Sequence, residues 1–131
     1  MAAQALGRLV AASKPGARGE QLACAHLAAR GFAILERNFR TRFGEIDIVA
    51  RDGPVTVFVE VKERSGATHG GGLDAVTPAK RRRVVLAARL YAMRHGLSET
   101  PLRFDVVTID GDPTQRPAVH HCLGAFDVNG R

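Results

Sequence analysis

Acidic and β-branched residues alternate from Glu45 to Ile48, at the spacing that a β-strand needs to sort them onto separate faces. Successive side chains of a strand point to opposite sides, so Glu45 and Asp47 share one face while Ile46 and Ile48 share the other. The apolar face belongs against a core. The acidic face holds two carboxylates side by side, a group that can bind a cation.

The stretch Val55 to Arg64 predicts a neighbouring strand with the same separation of residue types. Its valines fall on one face, and Phe58, Glu60 and Lys62 fall on the opposite one. A third carboxylate and an ammonium group therefore lie on a single face of the second strand.

A hairpin turn is expected between these strands, because Asp-Gly is a strong turn signal and the two residues are Asp52 and Gly53. A two-residue turn there places Asp47 opposite Phe58 and Glu45 opposite Glu60. Opposed residues project to one face, whereas a turn longer by one residue would break the arrangement. The hairpin thus predicts one patch of four charged residues, Glu45, Asp47, Glu60 and Lys62.

Three neighbouring carboxylates repel one another and need positive charge nearby. Lys62 can neutralise one acid, and a divalent cation is the natural partner of the others, since Mg²⁺ (or Mn²⁺) prefers oxygen ligands and is often held by one or two carboxylates. Such a cation together with a lysine is suited to phosphodiester hydrolysis. The alternative is that the charges only mark the solvated face of a half-exposed sheet.

The remaining elements predict an α/β domain that can position this hairpin. We expect a helix from about Gly19 to Arg30 and a first strand from Phe32 to Arg40, before the hairpin. A long helix follows Thr77-Pro78 and ends near His95, and Leu102 to Ile109 forms a fourth strand, with a short apolar stretch near Val119 to Phe126. The order αβββαβ predicts a mixed sheet flanked by helices.

Length and composition suit one domain. The 131 residues are 45% hydrophobic and 24% charged, and we expect a flexible leader over 1–15 and one domain over 16–131. Cys24 and Cys122 lack metal-ligand spacing, which indicates reduced cysteines of a cytoplasmic protein. No apolar stretch is long enough to span a bilayer, so no membrane partner is expected. His120-His121 is interpreted as a surface or core pair more readily than as metal ligands.

Basic residues indicate a polyanionic partner, in keeping with a net charge of +6. Positive charge in the first turns of a helix opposes the helix dipole, yet the second helix carries four cations there, which together with its free amides form a phosphate-binding surface. Pairing with nearby acids is the alternative reading. The predicted nucleic-acid-binding residues are Arg40, Arg42, Arg64, Lys80, Arg81, Arg82 and Arg83. With no tryptophan, and with Tyr91 on an apolar stripe, base stacking of the single-strand-binding kind is not expected.

Several motifs resemble those of a known family. Glu20, the stretch Gly44 to Ala50 and the stretch Phe58 to Lys62 resemble the site of the PD-(D/E)xK nuclease superfamily, whose αβββαβ core is that of restriction endonucleases and archaeal Holliday-junction resolvases. The chain is similar in particular to the small bacterial YraN-type family from about Gly16 to Asp110. This second resemblance also rests on Arg18-Gly19-Glu20, Glu36 to Arg40, Thr77 to Lys80 and Arg103-Phe104-Asp105.

The resemblance implies a role for each matching residue. Asp47 and Glu60 correspond to metal ligands, with the Val61 carbonyl as a third, Lys62 to the catalytic lysine, and Glu20 to the helix acid that holds a metal-bound water. Ile46 stands where the superfamily has proline before the aspartate. Glu45 has no fixed role there, and it either supports the site or pairs with an arginine.

The sequence therefore favours a Mg²⁺-dependent or Mn²⁺-dependent endonuclease acting on nucleic acid, with DNA and branched or repair intermediates as the first expectation. Two alternatives remain: an inactive nucleic-acid-binding module, and a protein-interaction domain with a basic surface. Cutting both strands would favour a homodimer. Asp105 is expected in an ion pair with Arg103, and the glycine-rich connection His69 to Gly72 is interpreted as a mobile segment that orders over substrate.

Overall fold

The computed structural model describes residues 17–64, 76–111 and 116–131. The predicted leader (1–15) and the connection His69 to Gly72 lie outside these residues. The elements are α1 (Ala17–Ala29), β1 (Ala33–Arg40), β2 (Glu45–Asp52), β3 (Val55–Arg64), α2 (Pro78–Arg94), β4 (Leu102–Asp110) and β5 (Ala118–Phe126). No described helix has both the length and the apolar character needed to cross a membrane.

One mixed sheet of five strands carries the fold, in the order β1-β2-β3-β4-β5. The pairs β1/β2, β2/β3 and β4/β5 are antiparallel, and β3 and β4 are parallel because α2 crosses between them. This α/β architecture, flanked by two helices, confirms the predicted fold class and is consistent with a restriction-endonuclease-like core. The apolar stretch near the end of the chain is a further strand, β5, at the edge beside β4.

Each face of the sheet packs against one helix. On one face, Ala23 and Leu27 of α1 contact a cluster that includes Val57 and Val59. On the other, the aromatic ring of Tyr91 in α2 packs against Phe39 and Phe58. Helix α2 begins as predicted, because Thr77 Oγ1 accepts a hydrogen bond from the Lys80 N–H at 3.2 Å and Pro78 follows the cap.

The hairpin register differs from the predicted one. Asp52 pairs with Val55, so the turn residues are Gly53 and Pro54, and Ile48 pairs with Val59. Gly53 has φ +58°, which glycine adopts without strain at the first position of such a turn. The predicted pairing of Asp47 with Phe58 and Glu45 with Glu60 is therefore wrong. The shift is two residues, one full period of a strand, so it does not by itself turn any side chain to the other face.

The alternation along β2 changes at Asp47, which is a second departure from the prediction. Ile46 and Ile48 were expected on one face, but Ile46 packs in the cluster under α2 and Ile48 in the cluster under α1. The pairs on either side are Phe39 with Ile46 and Arg37 with Ile48. Between them Asn38 has φ +56°, a left-handed backbone that interrupts regular pleating. Asp47 consequently lies at the point in β2 where the alternation of side chains between the two faces of the sheet is interrupted.

Candidate active site

Asp47 of β2 and Glu60 of β3 lie against each other at the end of their shared ladder. The Asp47 N–H points to Glu60 Oε2 at 3.4 Å, and Asp47 Oδ2 accepts a hydrogen bond of 2.8 Å from the Val61 N–H. The side chain of Asp47 thus takes the place that a backbone carbonyl would occupy beyond the last strand pair. This arrangement fixes the two carboxylates side by side, as the strand parity predicted.

Both acids are poorly stabilised as anions. Burial raises the pKa of Glu60 to about 8, and the neighbouring Asp47 adds to the effect. Burial also raises the pKa of Asp47 to about 6, against the hydrogen bond from Val61. Glu60 is 3% exposed, so water does little to stabilise its ionised form. The pair has the properties of a site prepared for a cation.

The positively charged side chain beside Glu60 is a lysine of helix α2. Lys80 Nζ lies 3.5 Å from Glu60 Oε1, and its side chain is 40% exposed. The sequence had suggested Lys62 as the neutralising partner, but this exposed residue only lines the same cleft. The cleft measures about 440 Å³, and its lining residues are Asp47, Glu60, Val61, Lys62, Val76, Thr77, Lys80 and Arg83.

Glu20 approaches the pair from helix α1. Its carboxylate raises the pKa of Asp47, behind the larger effects of burial and the Val61 bond, and it is itself 7% exposed. Its Oε1 accepts a hydrogen bond from Asn38 Nδ2 at 3.1 Å and lies 3.5 Å from an Arg37 guanidinium nitrogen. The resemblance to the superfamily had pointed to Glu20, whereas Arg37 and Asn38 were not assigned to the site. Two signals in the sequence could have indicated them: their place in the stretch Glu36 to Arg40 that resembles the YraN-type family, and asparagine's tolerance of left-handed backbone.

The predicted phosphate-binding residues separate into different surroundings. Lys80 and Arg83 line the cleft, while Arg81 and Arg82 pack near Gly130 at the other side of α2. Their role in binding nucleic acid stays a prediction.

The strand arginines have their own contacts. Arg64 makes a two-point ion pair with Asp110, at 2.8 and 3.1 Å, and is mostly buried. Arg40 lies 3.2 Å from Glu45, one of the two roles expected for that acid. The guanidinium of Arg42 lies 5.1 Å from the centre of the Phe43 ring. Of these three arginines, Arg40 and Arg42 remain exposed enough to meet a ligand.

The donor set suits a hard divalent cation. Asp47 and Glu60 supply carboxylate oxygens, and the Val61 carbonyl is the third predicted ligand. When both acids are ionised, the positive charge that pairs with Glu60 is that of Lys80, at 3.5 Å. Within residues 17–64, 76–111 and 116–131, no group of three or more His, Cys, Asp or Glu side chains is arranged to hold a metal ion, at this site or at any other. The candidate is thus a site of two carboxylates.

A second group of polar side chains surrounds the buried Asp105 of β4. Asp105 accepts two bonds from Arg103, at 2.9 and 3.0 Å, so the expected ion pair is present. It also bonds to Nε2 of His121, at 2.7 Å, whose side chain is fully buried. His120 is exposed, and the cysteines Cys24 and Cys122 are both free.

Comparisons with known proteins identify the family. The model of the uncharacterised protein family UPF0102 matches residues 19–109. A UPF0102 protein of Anaeromyxobacter dehalogenans is 52% identical over 119 residues, covering 88% of this chain and 86% of that protein. One from Alkalilimnicola ehrlichii is 50% identical over 101 residues, 76% of this chain and 80% of the relative. One from Geobacter sulfurreducens is 45% identical over 113 residues, 86% and 88% of the two chains. The chain therefore belongs to the UPF0102 family, the YraN-type family that its motifs resemble.

Proposed function

We propose that this protein is a Mg²⁺-dependent or Mn²⁺-dependent endonuclease that hydrolyses phosphodiester bonds of nucleic acid, with DNA as the expected substrate. One observation carries the proposal: the buried carboxylate of Glu60 and the partly buried one of Asp47, both with raised pKa values, lie at a cleft whose opposite wall is basic. Cations that bind at the acids and phosphates that bind at the basic wall would meet in the same cleft.

In this proposal Asp47, Glu60 and the Val61 carbonyl hold the cation, which when bound polarises the scissile phosphate and activates water. The hydrogen bond from the Val61 N–H orients the Asp47 carboxylate toward the cleft at 2.8 Å. Asn38 and Arg37 orient Glu20 through its Oε1, so that Glu20 accepts a hydrogen bond from the attacking water.

The basic residues have a different task. Lys62 Nζ donates to the phosphate oxygens and stabilises the charge that grows there as the water oxygen attacks phosphorus and the bond to the leaving oxygen breaks. Lys80 and Arg83, on the facing wall of the cleft, bind the phosphate and fix its position. The attacking water loses its proton to solvent and the leaving oxygen takes up a proton from solvent, so that one water molecule is added across the broken P–O bond.

Resemblance supports the same reading. The order of Asp47, then Glu60-Val61-Lys62 on the next strand, matches the PD-(D/E)xK superfamily, and the described core has the corresponding architecture. Family membership names no reaction, so the chemistry must be tested directly.

The test is cleavage of branched, flapped and linear DNA, and of RNA, with Mg²⁺ or Mn²⁺. We expect Asp47→Asn and Glu60→Gln to lower the rate at least about a thousandfold, because each removes a charge that acts on the transition state. Asp52→Asn is the matched control, since Asp52 lies at the opposite end of β2 and is half-buried. Cleavage that survives both site substitutions would refute the mechanism.

Two other outcomes would replace the proposal. Tight, salt-dependent binding without any cleavage would indicate an inactive nucleic-acid-binding module. No binding at low salt would favour a protein-interaction domain whose basic surface meets an acidic partner. Cleavage of both strands would prompt a test for a homodimer.

A further inference from the structure

The turn between β1 and β2 is held rigidly by its own hydrogen bonds. The Thr41 N–H donates to the Gly44 carbonyl at 2.9 Å, and the Thr41 hydroxyl donates to the same carbonyl at 2.8 Å. Thr41 Oγ1 also accepts from the N–H groups of Phe43 and Gly44, at 3.0 and 3.1 Å. These four bonds fix the backbone from which the side chains of Arg42 and Phe43 project.

An aromatic ring is exposed on this turn. Large apolar side chains that reach the surface of the described residues are Leu35, Phe43, Leu86, Met93, Leu123 and Val128, and Phe43 is the aromatic one among them, 39% exposed. The Arg42 guanidinium lies 5.1 Å from the centre of its ring. The expectation against base stacking rested on tryptophan and tyrosine alone, and it missed Phe43.

The turn sits beside the candidate active site. Gly44 packs so closely on α2 that a Cβ at this position would lie 3.1 Å from Arg83 Cβ and 3.3 Å from the Arg83 carbonyl oxygen. Arg83 lines the cleft that contains Asp47 and Glu60. Since four residues span at most about 14 Å of chain, Phe43 lies within a few nucleotides of Asp47. The position thus combines an exposed ring, positive charge and closeness to the acids.

From this juxtaposition we infer that Phe43 is a stacking platform for an unpaired base, and that the substrate class is nucleic acid with a single-stranded segment. The inference rests on the proposed function, which it makes more specific. Bases inside a continuous duplex already stack on one another, so only an unpaired base offers its face to the ring. Arg42 and Arg83 attract the phosphates on either side of that base.

The direct test uses fluorescence, because the natural chain has no tryptophan. Phe43→Trp places a single indole on the turn, and Leu123→Trp places one on the opposite edge strand, β5, where Leu123 is 48% exposed. Both variants are titrated, in EDTA to prevent cleavage, with a flapped DNA and with a fully paired duplex of equal length. We expect stacking to quench the indole emission of Phe43→Trp with the flap but not with the duplex. The emission of Leu123→Trp should stay unchanged with both.

Affinity provides the second measurement. Phe43→Ala should weaken binding of the flap roughly tenfold and binding of the duplex by less than about twofold, since loss of base stacking is typically of this size. Phe43→Trp should retain flap binding, and Leu123→Ala should alter neither affinity. Circular dichroism melting of Phe43→Ala within a few degrees of the natural chain establishes that the turn variant is folded.

The outcomes separate this inference from the proposed function. If the natural chain binds nucleic acid and Phe43→Ala binds the flap as tightly as the natural chain does, the stacking role alone is overturned. The same holds if no DNA quenches the emission of Phe43→Trp. A natural chain that binds no nucleic acid at low salt overturns the proposed function, and the stacking role with it.

Discussion

Asp105 and Glu60 are both buried acids of one sheet, yet their surroundings are opposite. Asp105 is fully buried and accepts bonds from the Arg103 guanidinium, from His121 at 2.7 Å and from the Gly124 N–H at 3.0 Å. Burial acts to raise its pKa, but these partners together hold the pKa below the usual value. Glu60 has Lys80 at 3.5 Å and one N–H at 3.4 Å, and its pKa rises to about 8.

Asp105 stabilises the fold, whereas Glu60 has the surroundings of a functional acid. A buried carboxylate with short, charged partners stays ionised and stabilises the sheet, whereas one without them costs stability whenever it ionises. Chains retain such a cost where the unpaired charge has a use, which is why strongly shifted carboxyl groups concentrate at functional sites.

Asp105→Ala should destabilise the protein by about 3–5 kcal/mol, because it removes the partner of the buried His121 and the buried one of the two acids that pair with Arg103. Urea unfolding monitored by circular dichroism measures the loss. Asp52→Ala is the matched control: Asp52 pairs with the same Arg103 at 2.9 Å but is 40% exposed, and the loss should be at most about 1 kcal/mol. Equal losses would contradict the assignment of Asp105 as the structural centre.

Glu60→Gln should stabilise the cation-free protein at pH 8.5. The pKa of Glu60 is 4.5 in the unfolded chain and about 8 in the folded one, so between pH 4.5 and pH 8 folding is accompanied by uptake of a proton. The free energy of unfolding of the natural chain therefore falls as pH rises through that range. The variant lacks this fall. In EDTA we expect a melting temperature roughly 5 °C above the natural chain at pH 8.5, and little difference near pH 4.5.

The control for that comparison is Glu45→Gln, which removes a carboxylate that is 44% exposed. It should show no such dependence on pH. A Glu60→Gln variant less stable than the natural chain at pH 8.5 would mean that Lys80 pairs with Glu60 strongly enough to make its charge favourable.

Lys80→Gln should raise the affinity for Mn²⁺ by about fivefold. Lys80 Nζ lies 3.5 Å from Glu60 and competes with a cation for the same carboxylate. At 40% exposure solvent screens this competition to about 1 kcal/mol, which corresponds to the stated factor. Isothermal titration calorimetry measures the affinity, with Arg82→Gln, on another side of α2, as the control. Weaker Mn²⁺ binding would show that Lys80 supports the cation site.

Glu45→Gln should have the smallest effect, a change in stability of less than about 0.5 kcal/mol, because the pair with Arg40 is exposed on both sides. Cleavage should continue at a rate within about twofold of the natural chain. A loss of cleavage comparable to that of Asp47→Asn would instead make Glu45 a third acid of the site.

Much of the fold and of the candidate site could be predicted from the sequence, because the alternation of side chains along a strand is a local property. The period of two placed Asp47, Glu60 and Lys62 on one face, where all three line the cleft, and this prediction survived an error in the turn. It failed for Glu45, which pairs with Arg40 beyond the point where the alternation of β2 changes. That error was physical: Gly53-Pro54 competes with Asp52-Gly53 for the two central positions, and local turn preferences do not decide between them. Helix α2 was predictable from its cap, since Thr77 and Pro78 indicate a helix start.

The contacts across the fold could not be predicted in this way. Lys80 reaches Glu60 because α2 crosses the sheet at one angle, and the inversion at Asp47 depends on the left-handed backbone of Asn38 in the neighbouring strand. Arg64 bonds to Asp110, which is 46 positions away in sequence. Local periodicity carries no information about which distant side chains meet, so the partners that set each pKa had to come from the structure.

Calorimetric titration with Mn²⁺ at pH 7 measures whether the Asp47–Glu60 pair holds a divalent cation, as we propose. Since the pKa of Glu60 is about 8, binding must displace a proton, and the heat should differ between buffers of unequal ionisation enthalpy. We predict one Mn²⁺ per chain, release of nearly one proton at pH 7 and little at pH 9.5, and no binding by Asp47→Asn or Glu60→Gln. Absence of Mn²⁺ binding by the natural chain, or equal binding by both variants, would contradict the claim.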